Sequence, residues 1–358
     1  MKIYRTGKTN TLGYFNLLKG CGILWVLAFH TVILYFERDL ENQNLFTING
    51  AGLMAMFFII SGFGFYKRKP MRCLNMQFKL IMVPYIWMCA FILIERVVYN
   101  FIRGIPFKDN GGSLILTYLF GLCVYPERTV LGYTVSFVGL LWFILALFTG
   151  WIIYNQISQI KENKMIRLCI MCSVFLGWLL PKITDLWPYC IPQGLLAAGC
   201  LYIGESIRKN RLLERKLPPV IYVGALIWIG VSEIFGGGDM GTNYWRFGLF
   251  DVVSAYLIGL MFIRVYYNLY PYIPENKITE ILEMVGGESF LVFCIHGVER
   301  VTVPWYVIQR YIANQYLGTC LYFLMRCVFI FIVYRVIKKI QRWLNQRKRR
   351  KKVTITLE

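Results

Sequence analysis

The stretch YFNLLKGCGILWVLAFHTVILYF, residues 14–36, decides the fold of this chain. Apart from Lys19 and His30 it is almost entirely apolar or aromatic. A helix needs about 20 such residues to cross a hydrocarbon core about 30 Å thick. The stretch reaches that length and lacks the small-residue cleavage site of a secretory leader. It therefore predicts a membrane-spanning helix.

The composition extends this prediction to the rest of the chain. Of the 358 residues 57% are hydrophobic and 16% are charged, whereas soluble domains carry about 25% charged residues. Ten apolar blocks are predicted to span the membrane: residues 14–36, 46–66, 78–94, 136–154, 166–180, 191–207, 218–234, 247–267, 281–298 and 317–340. We therefore predict an all-α polytopic bundle, with a cytoplasmic segment at 1–13, a transmembrane domain at 14–340 and a basic cytoplasmic tail at 341–358.

The loop charges predict the orientation of the bundle. With the N-terminus in the cytoplasm, the basic loops also face the cytoplasm, as the positive-inside rule requires; they are residues 67–72, 159–167 and 208–216. The acidic-to-neutral loops then face outwards; they are residues 37–44, 181–189 and 233–243. A short apolar piece at 113–124 would invert all later loops if it spanned, so we predict a re-entrant or interfacial segment there.

The net charge of +20 has the same explanation. The basic residues lie between apolar blocks and in the tail, and no groove-reading or RNA-binding motif accompanies them. The lipid bilayer, and not nucleic acid, is the predicted partner.

The eleven cysteines are scattered, many within apolar blocks. We interpret them as small hydrophobic side chains, and predict neither disulfides nor a metal site.

The only two histidines, His30 and His296, both lie within predicted spans. Ionisable groups inside a membrane are costly, so each indicates a functional site. The alternative is a neutral histidine that a backbone carbonyl satisfies. At 1.5 Å per residue, His30 lies about 16 Å beyond Lys19 and His296 about 22 Å into its own span. Both are expected in the middle-to-outer part of the membrane, where they could meet in one cavity.

Three cations near the inner face, Lys19, Arg72 and Lys79, have two interpretations. They could contact an anionic substrate at the cytoplasmic mouth. They could instead reach the lipid headgroups with their long side chains, as basic residues at span ends commonly do. Asp251, at the start of the ninth span, is a minor candidate for a partner that orients a histidine.

Several segments resemble the acyltransferase-3 family of bacterial membrane O-acyltransferases. The first span carries Lys19-Gly20 and then His30, with ten residues between the lysine and the histidine. FFIISGFGFY at 57–66 resembles the family's F-F-x-x-S-G-F segment, and the basic stretch at 67–85 resembles its entry to the third span. Leu141-Trp142-Phe143 and VGGESFLVFCIH at 285–296 resemble two later motifs. The ordered set covers about residues 16–338.

Three positions depart from the family pattern. Lys19 and Lys79 stand where arginine is common, which keeps the charge but loses the planar bidentate fork. Phe293 stands where tyrosine is common. The lysine substitutions bear on donor affinity more than on the class of reaction.

The resemblance implies a cytoplasmic acyl-CoA donor, usually acetyl-CoA, and an acceptor hydroxyl on a cell-surface or lipid-linked glycan, in a bacterial plasma membrane. Transfer from a thioester needs a base, and histidine, with an ordinary pKa of about 6.5, suits that role. We expect His30 to act as general base or transient acyl acceptor, and His296 to orient, to protonate or to bind the acceptor. Lys19, Lys79 and Arg72 are expected to contact the phosphates of CoA.

Two other functional classes remain open at this point. Intramembrane histidines also serve proton relays, so a transporter or flippase of a glycan or small molecule is the principal alternative. Inverted repeats with broken helices are typical of that class, and no clear pair occurs here. The lysine substitutions also permit a sensor or assembly subunit that has lost its chemistry.

Overall fold

A computed structural model describes residues 11–35, 50–106, 111–123, 127–235, 237–312 and 314–357, and these are mostly helical. The helices are α1 Asn16–Tyr35, α2 Gly50–Phe63, α3 Pro70–Gln77, α4 Val83–Arg103, α5 Gly111–Phe120, α6 Trp142–Ile157, α7 Asn163–Ile183, α8 Ile191–Lys209, α9 Pro219–Phe235, α10 Leu249–Leu269, α11 Lys277–Gly287, α12 Ser289–Thr302 and α13 Gln315–Leu357. Two antiparallel hairpins interrupt them: β1 Arg128–Val130 with β2 Tyr133–Val135, and β3 Gly238–Asp239 with β4 Tyr244–Trp245. The all-α prediction is confirmed.

Helix lengths fit a protein that crosses a membrane many times. Seven helical segments of the described chain are long and apolar enough to span, and α11 with α12 forms one further, bent candidate. A π-helical turn at Phe78–Met82 joins α3 to α4 within one of the seven. The short helices α2 and α9 occupy the two remaining predicted spans. Helix α5 has ten residues, about half the length that a span requires.

The chain divides into two compact units. The first unit comprises residues 1–22 and 47–287, and the second comprises residues 23–46 and 288–358. Helix α1 contributes to both, since the division falls after Gly22.

Helix α8 forms the centre of the first unit because its small residues allow close approach. A Cβ at Gly204 would lie 1.9 Å from the carbonyl oxygen of Ile59, and one at Gly62 would lie 2.3 Å from that of Leu201. Helices α2 and α8 therefore cross with their backbones in contact, the packing that small residues permit inside membranes. On another face of α8, Tyr256 of α10 donates a hydrogen bond to the Leu196 carbonyl at 2.5 Å.

The second unit is built from the later part of α1, α12, α13 and a short 3₁₀ segment, Trp305–Arg310. Outward-facing apolar side chains of α13, such as Phe331 and Ile332, are more than half exposed. Such surfaces suit contact with lipid tails. Polar side chains are instead concentrated in the interior of this unit, and they form the candidate site.

Candidate active site

The second unit brings the two histidines together. His30 lies on α1 and His296 on α12, and the centroids of their rings are 5.5 Å apart. His296 is fully buried, while His30 is partly exposed. The sequence predicted that both would lie within the membrane and could share one cavity, and their side chains are in fact neighbours.

Glu299 is the closest polar partner of His296. It follows His296 by three residues on α12, so both side chains lie on one face of the helix. The Nδ1 atom of His296 lies 2.8 Å from Oε1 of Glu299. The other carboxylate oxygen accepts a hydrogen bond from the Trp305 indole. Glu299 is only 1% exposed, so its negative charge depends on these partners.

Arg326 of α13 provides the counter-charge. Its Nε and Nη2 lie 3.0 and 2.6 Å from Oε1 of Glu299. Its Nη1 donates to the hydroxyl of Thr31 at 2.9 Å, and that hydroxyl donates to the Leu27 carbonyl. Arg326 is fully buried. A guanidinium in such a place is stable only when its donors are paired, and these contacts join α13 to α1 and α12.

The partners of His296 decide which of its nitrogens carries the proton. Nδ1 lies 2.8 Å from the carboxylate of Glu299 and 3.0 Å from Nη2 of Arg326. That Nη2 makes a shorter contact, 2.6 Å, with Glu299, so it donates to the carboxylate. A carboxylate can only accept, so the 2.8 Å contact between Nδ1 and Glu299 places the imidazole proton on Nδ1. A lone pair is then left on Nε2. This is the arrangement of a carboxylate–histidine dyad in which the carboxylate orients a base.

Two buried polar atoms beside this network have no hydrogen-bond partner within the described part of the chain. They are Nε2 of His296 and the hydroxyl of Tyr322. The ring of Tyr322 lies against Arg326, with 5.2 Å from the guanidinium carbon to the ring centroid. Buried polar atoms are normally paired. These two therefore lack the partner that a buried polar atom normally has.

His30 has a different environment. Its Nδ1 lies 2.8 Å from Nη1 of Arg300, also on α12. Arginine can only donate, so this Nδ1 is an acceptor and the proton of the neutral ring lies on Nε2. Two arginines and one glutamate give the cluster a formal charge of +1 when both histidines are neutral. Such a site favours negative charge that develops on a reacting oxygen.

The three predicted cations lie in the first unit. Lys19 is partly buried on α1, whereas Arg72 and Lys79 are exposed, on α3 and on the π-helical turn. Within the described chain, no hydrogen bond or ion pair joins these three to one another. No acidic side chain of the described part of the chain forms an ion pair with any of the three.

The basic segment before Arg72 is held rigidly by its backbone. Asn155 of α6 accepts from the Arg68 amide and donates to the Arg68 carbonyl, both at 3.0 Å. Gln159 donates to the same carbonyl at 3.0 Å, and Arg208 donates to the Phe65 carbonyl. The three loops predicted to face the cytoplasm thus meet at one end of the first unit, which leaves the side chains of Lys67 and Lys69 exposed.

Sequence reasoning did not find Glu299, Arg300 and Arg326. The signals were present, because Glu299 and Arg300 follow His296 by three and four residues, within one helical turn. Arg326 is a lone charge between apolar residues of a span, which marks a functional position by default. Asp251 has a structural role, since it accepts backbone hydrogen bonds from Gly237 and Phe247 near the start of α10.

No group of three metal-ligating side chains occurs among the described residues. All eleven cysteines have free thiols. Cys169 and Cys172 have C-x-x-C spacing within α7, where they lie in a membrane-spanning candidate. The thiols of Cys123 and Cys190 lie in contact, with sulfur atoms 3.1 Å apart.

A buried histidine–carboxylate dyad beside a second histidine, on helices of a polytopic bundle, is an arrangement suited to acyl transfer. The family model described as an acyltransferase domain, acyltransferase-3, matches residues 12–336. The chain belongs to the acyltransferase-3 family. Neither a curated protein nor a solved structure matches it. This member of the family is a multi-pass membrane acyltransferase. The matched range includes both His30 and His296.

Proposed function

We propose that this acyltransferase moves an acetyl group from cytoplasmic acetyl-CoA, or another acyl-CoA, to a hydroxyl of a cell-surface or lipid-linked glycan. The observation that carries the proposal is the His296–Glu299 dyad, in which Nε2 of His296 is buried beside His30 and has no hydrogen-bond partner among the described residues. A bacterial plasma membrane is the proposed location, as the family resemblance implies.

In the proposed reaction, Nε2 of His296 takes the proton of the acceptor hydroxyl. The oxygen attacks the thioester carbonyl, and the carbon–sulfur bond breaks. The CoA thiolate leaves and receives that proton from His296, so the products are an ester and CoA. Glu299 holds the imidazole in the required tautomer and stabilises the charge that His296 carries between the two transfers.

His30 and Arg300 have a second role in this mechanism. Because Nδ1 of His30 accepts from Arg300, its Nε2–H is a donor. It stabilises the oxyanion that forms when the hydroxyl attacks. The general-base role expected of His30 from sequence thus passes to His296 in our proposal, and both remain catalytic residues.

The donor is bound, in this proposal, by cations of the first unit. Lys19, Lys79 and Arg72 contact the phosphates of CoA from the cytoplasmic side. The exposure of Arg72 and Lys79 and the rigid backbone of the neighbouring basic segment support this role. Lysine ammonium groups serve as point charges for phosphate, where arginine would bind in a bidentate manner.

The test uses the full chain in lipid nanodiscs with radiolabelled acetyl-CoA and a lipid-linked glycan extract. Release of CoA and labelling of the glycan are measured in wild type, His30→Ala, His30→Gln, His296→Gln and the control Arg335→Gln, an exposed arginine of α13. Wild type and the control should turn over, while His30→Ala and His296→Gln should lose about 10²–10⁴-fold in rate.

The His30→Gln variant distinguishes the oxyanion role of His30 from a general-base role. The glutamine side chain retains an N–H donor, so His30→Gln should keep part of the activity if His30 stabilises the oxyanion. Complete loss in His30→Gln, with activity surviving in His296→Gln, would return the base role to His30. Full activity in both alanine and glutamine variants would exclude catalysis by this cluster. Acetyl-CoA-independent movement of labelled glycan across the bilayer would instead favour the transporter alternative.

A further inference from the structure

The first unit contains a cavity of about 700 Å³ at the end predicted to face outwards. Its walls come from Cys123 and Arg128, the α7–α8 connection with the helix ends on either side of it, and the β3–β4 hairpin. These include the two described loops with an acidic-to-neutral balance. We propose that this cavity binds a neutral saccharide of a few rings.

The charges of the lining favour an uncharged ligand. The lining contains two basic residues, Arg128 and Lys182, and two acidic ones, Asp185 and Asp239, so its positive and negative charges balance. Arg128 Nε lies 2.7 Å from Asp185 Oδ2. Asp239 accepts hydrogen bonds from the Gly241 amide and the Thr242 hydroxyl. A cavity for a phosphate or a uronic acid would carry an excess of cations, which this lining lacks.

The hydrogen-bonding groups of the lining suit alcohols. A sugar hydroxyl both donates and accepts, and the lining supplies carboxylates, a guanidinium and amides side by side. Gln193, only 2% exposed, donates to the Gly241 carbonyl at 2.9 Å. Its Oε1 is buried and has no partner among the described residues. An acceptor left open in this way is a place for a ligand hydroxyl.

Aromatic side chains supply the apolar part of the recognition. Tyr244 is 63% exposed although it lines the cavity, and Trp187 lines it with its indole N–H fixed on the Leu180 carbonyl. Both flat rings can stack on the C–H faces of sugar rings, and the hydrogen bond holds that of Trp187 in position. The volume lies within the roughly 300–1,000 Å³ typical of ligand pockets.

The walls are held in position by hydrogen bonds that do not involve a ligand. Asn243 of the β3–β4 hairpin donates to the Gly177 carbonyl at 2.9 Å and accepts from the Trp245 indole. With the Gln193 bond to Gly241, the hairpin is attached to both α7 and α8. A preformed site loses less entropy when it binds its ligand.

The ligand class follows from the cavity alone, whereas a role in acceptor binding rests on the proposed function. The experiment therefore measures binding without an acyl donor. Full-length protein in nanodiscs is titrated with neutral tri- and tetrasaccharides of hexoses, deoxyhexoses and N-acetylhexosamines, and with uronic acid oligosaccharides as the anionic arm. Binding is followed by saturation-transfer NMR and calorimetry.

We expect at least one neutral saccharide to bind, and Tyr244→Ala and Gln193→Leu each to weaken it by at least about tenfold. Tyr272→Ala, which removes an exposed tyrosine outside the cavity, should bind like wild type. Melting temperatures establish that the variants are folded. The proposal is overturned if no neutral member binds at up to about 10 mM, a concentration above millimolar dissociation constants. It is also overturned if only the anionic arm binds, or if folded cavity variants bind as tightly as wild type.

Discussion

Glu299 is the residue on which the chemistry of His296 depends. It accepts from His296, Arg326 and Trp305, and no other carboxylate among the described residues contacts either histidine. Its charge fixes the histidine tautomer and neutralises Arg326. An amide at this position would present a donor to one of these partners and leave a buried guanidinium without its counter-charge.

We expect Glu299→Gln to lower kcat by roughly 10²–10⁴-fold, the usual worth of a positioned acid–base group. Acetyl-CoA binding should stay near the wild-type value, because the predicted donor contacts lie on other residues. Steady-state kinetics and calorimetry separate these two effects. Glu299→Asp serves as the conservative variant and should recover part of the rate. An unchanged kcat in folded Glu299→Gln would remove the dyad from the mechanism.

Small residues let α2 and α8 pack with their backbones in contact, and this packing is directly testable. We expect Gly204→Ala to destabilise the protein by about 1–3 kcal/mol, as overpacking of a tight interface does. A Cβ at this position would collide with the Ile59 carbonyl, which is backbone and cannot move aside cheaply. Gly230→Ala in α9 is the matched control, since a Cβ there meets nothing within 4 Å. Thermal unfolding in nanodiscs should separate the two, and equal melting temperatures would contradict the close crossing.

The connection between α7 and α8 contains a cysteine that can be cross-linked. The sulfur atoms of Cys123 and Cys190 are 3.1 Å apart, and a bond requires an approach to about 2 Å. We expect the oxidant diamide to accept two electrons and two protons from this pair and to leave a disulfide. Differential alkylation with mass spectrometry should show both thiols protected in wild type. In the Cys123→Ser variant, the Cys190 thiol should stay free after diamide treatment and should be alkylated once the protein is unfolded. Protection of Cys190 from alkylation in that variant would indicate a different disulfide partner.

The helices were predictable from the sequence because membrane spans depend on apolar length, a local property. The ends of the helices were less predictable, since the predicted third span at 78–94 is part of one helical segment from Pro70 to Arg103. The two histidines were found because each is a lone titratable group in an apolar block. The partners of the histidines and the cavity of the first unit were not predicted, because contacts such as Arg326–Thr31 or Gln193–Gly241 join residues distant in sequence. Periodicity and composition do not encode such pairs.

The loops of the first unit gather into two groups at opposite ends of α8. The basic loops meet through the Arg68 contacts, and the described parts of the acidic-to-neutral loops at 181–189 and 233–243 meet around Gln193 and Asn243. Helix α8 runs between the two groups, from Ile191 to Lys209. Its 19 residues span about 29 Å at 1.5 Å per residue, close to the thickness of a hydrocarbon core. The two loop groups therefore belong on opposite sides of a bilayer.

Single cysteines introduced into the two loop groups should report this arrangement. Leu186→Cys lies in an outer loop and Glu162→Cys in an inner one, and both positions are exposed. A membrane-impermeant maleimide applied to intact cells should modify Leu186→Cys above the wild-type background, while Glu162→Cys should react only after the membrane is permeabilised. The reverse pattern would place the basic loops outside and the cavity in the cytoplasm, where it could not meet an extracytoplasmic glycan. Reaction of both positions in intact cells would contradict α8 as a span, because its two ends would then share one side of the membrane.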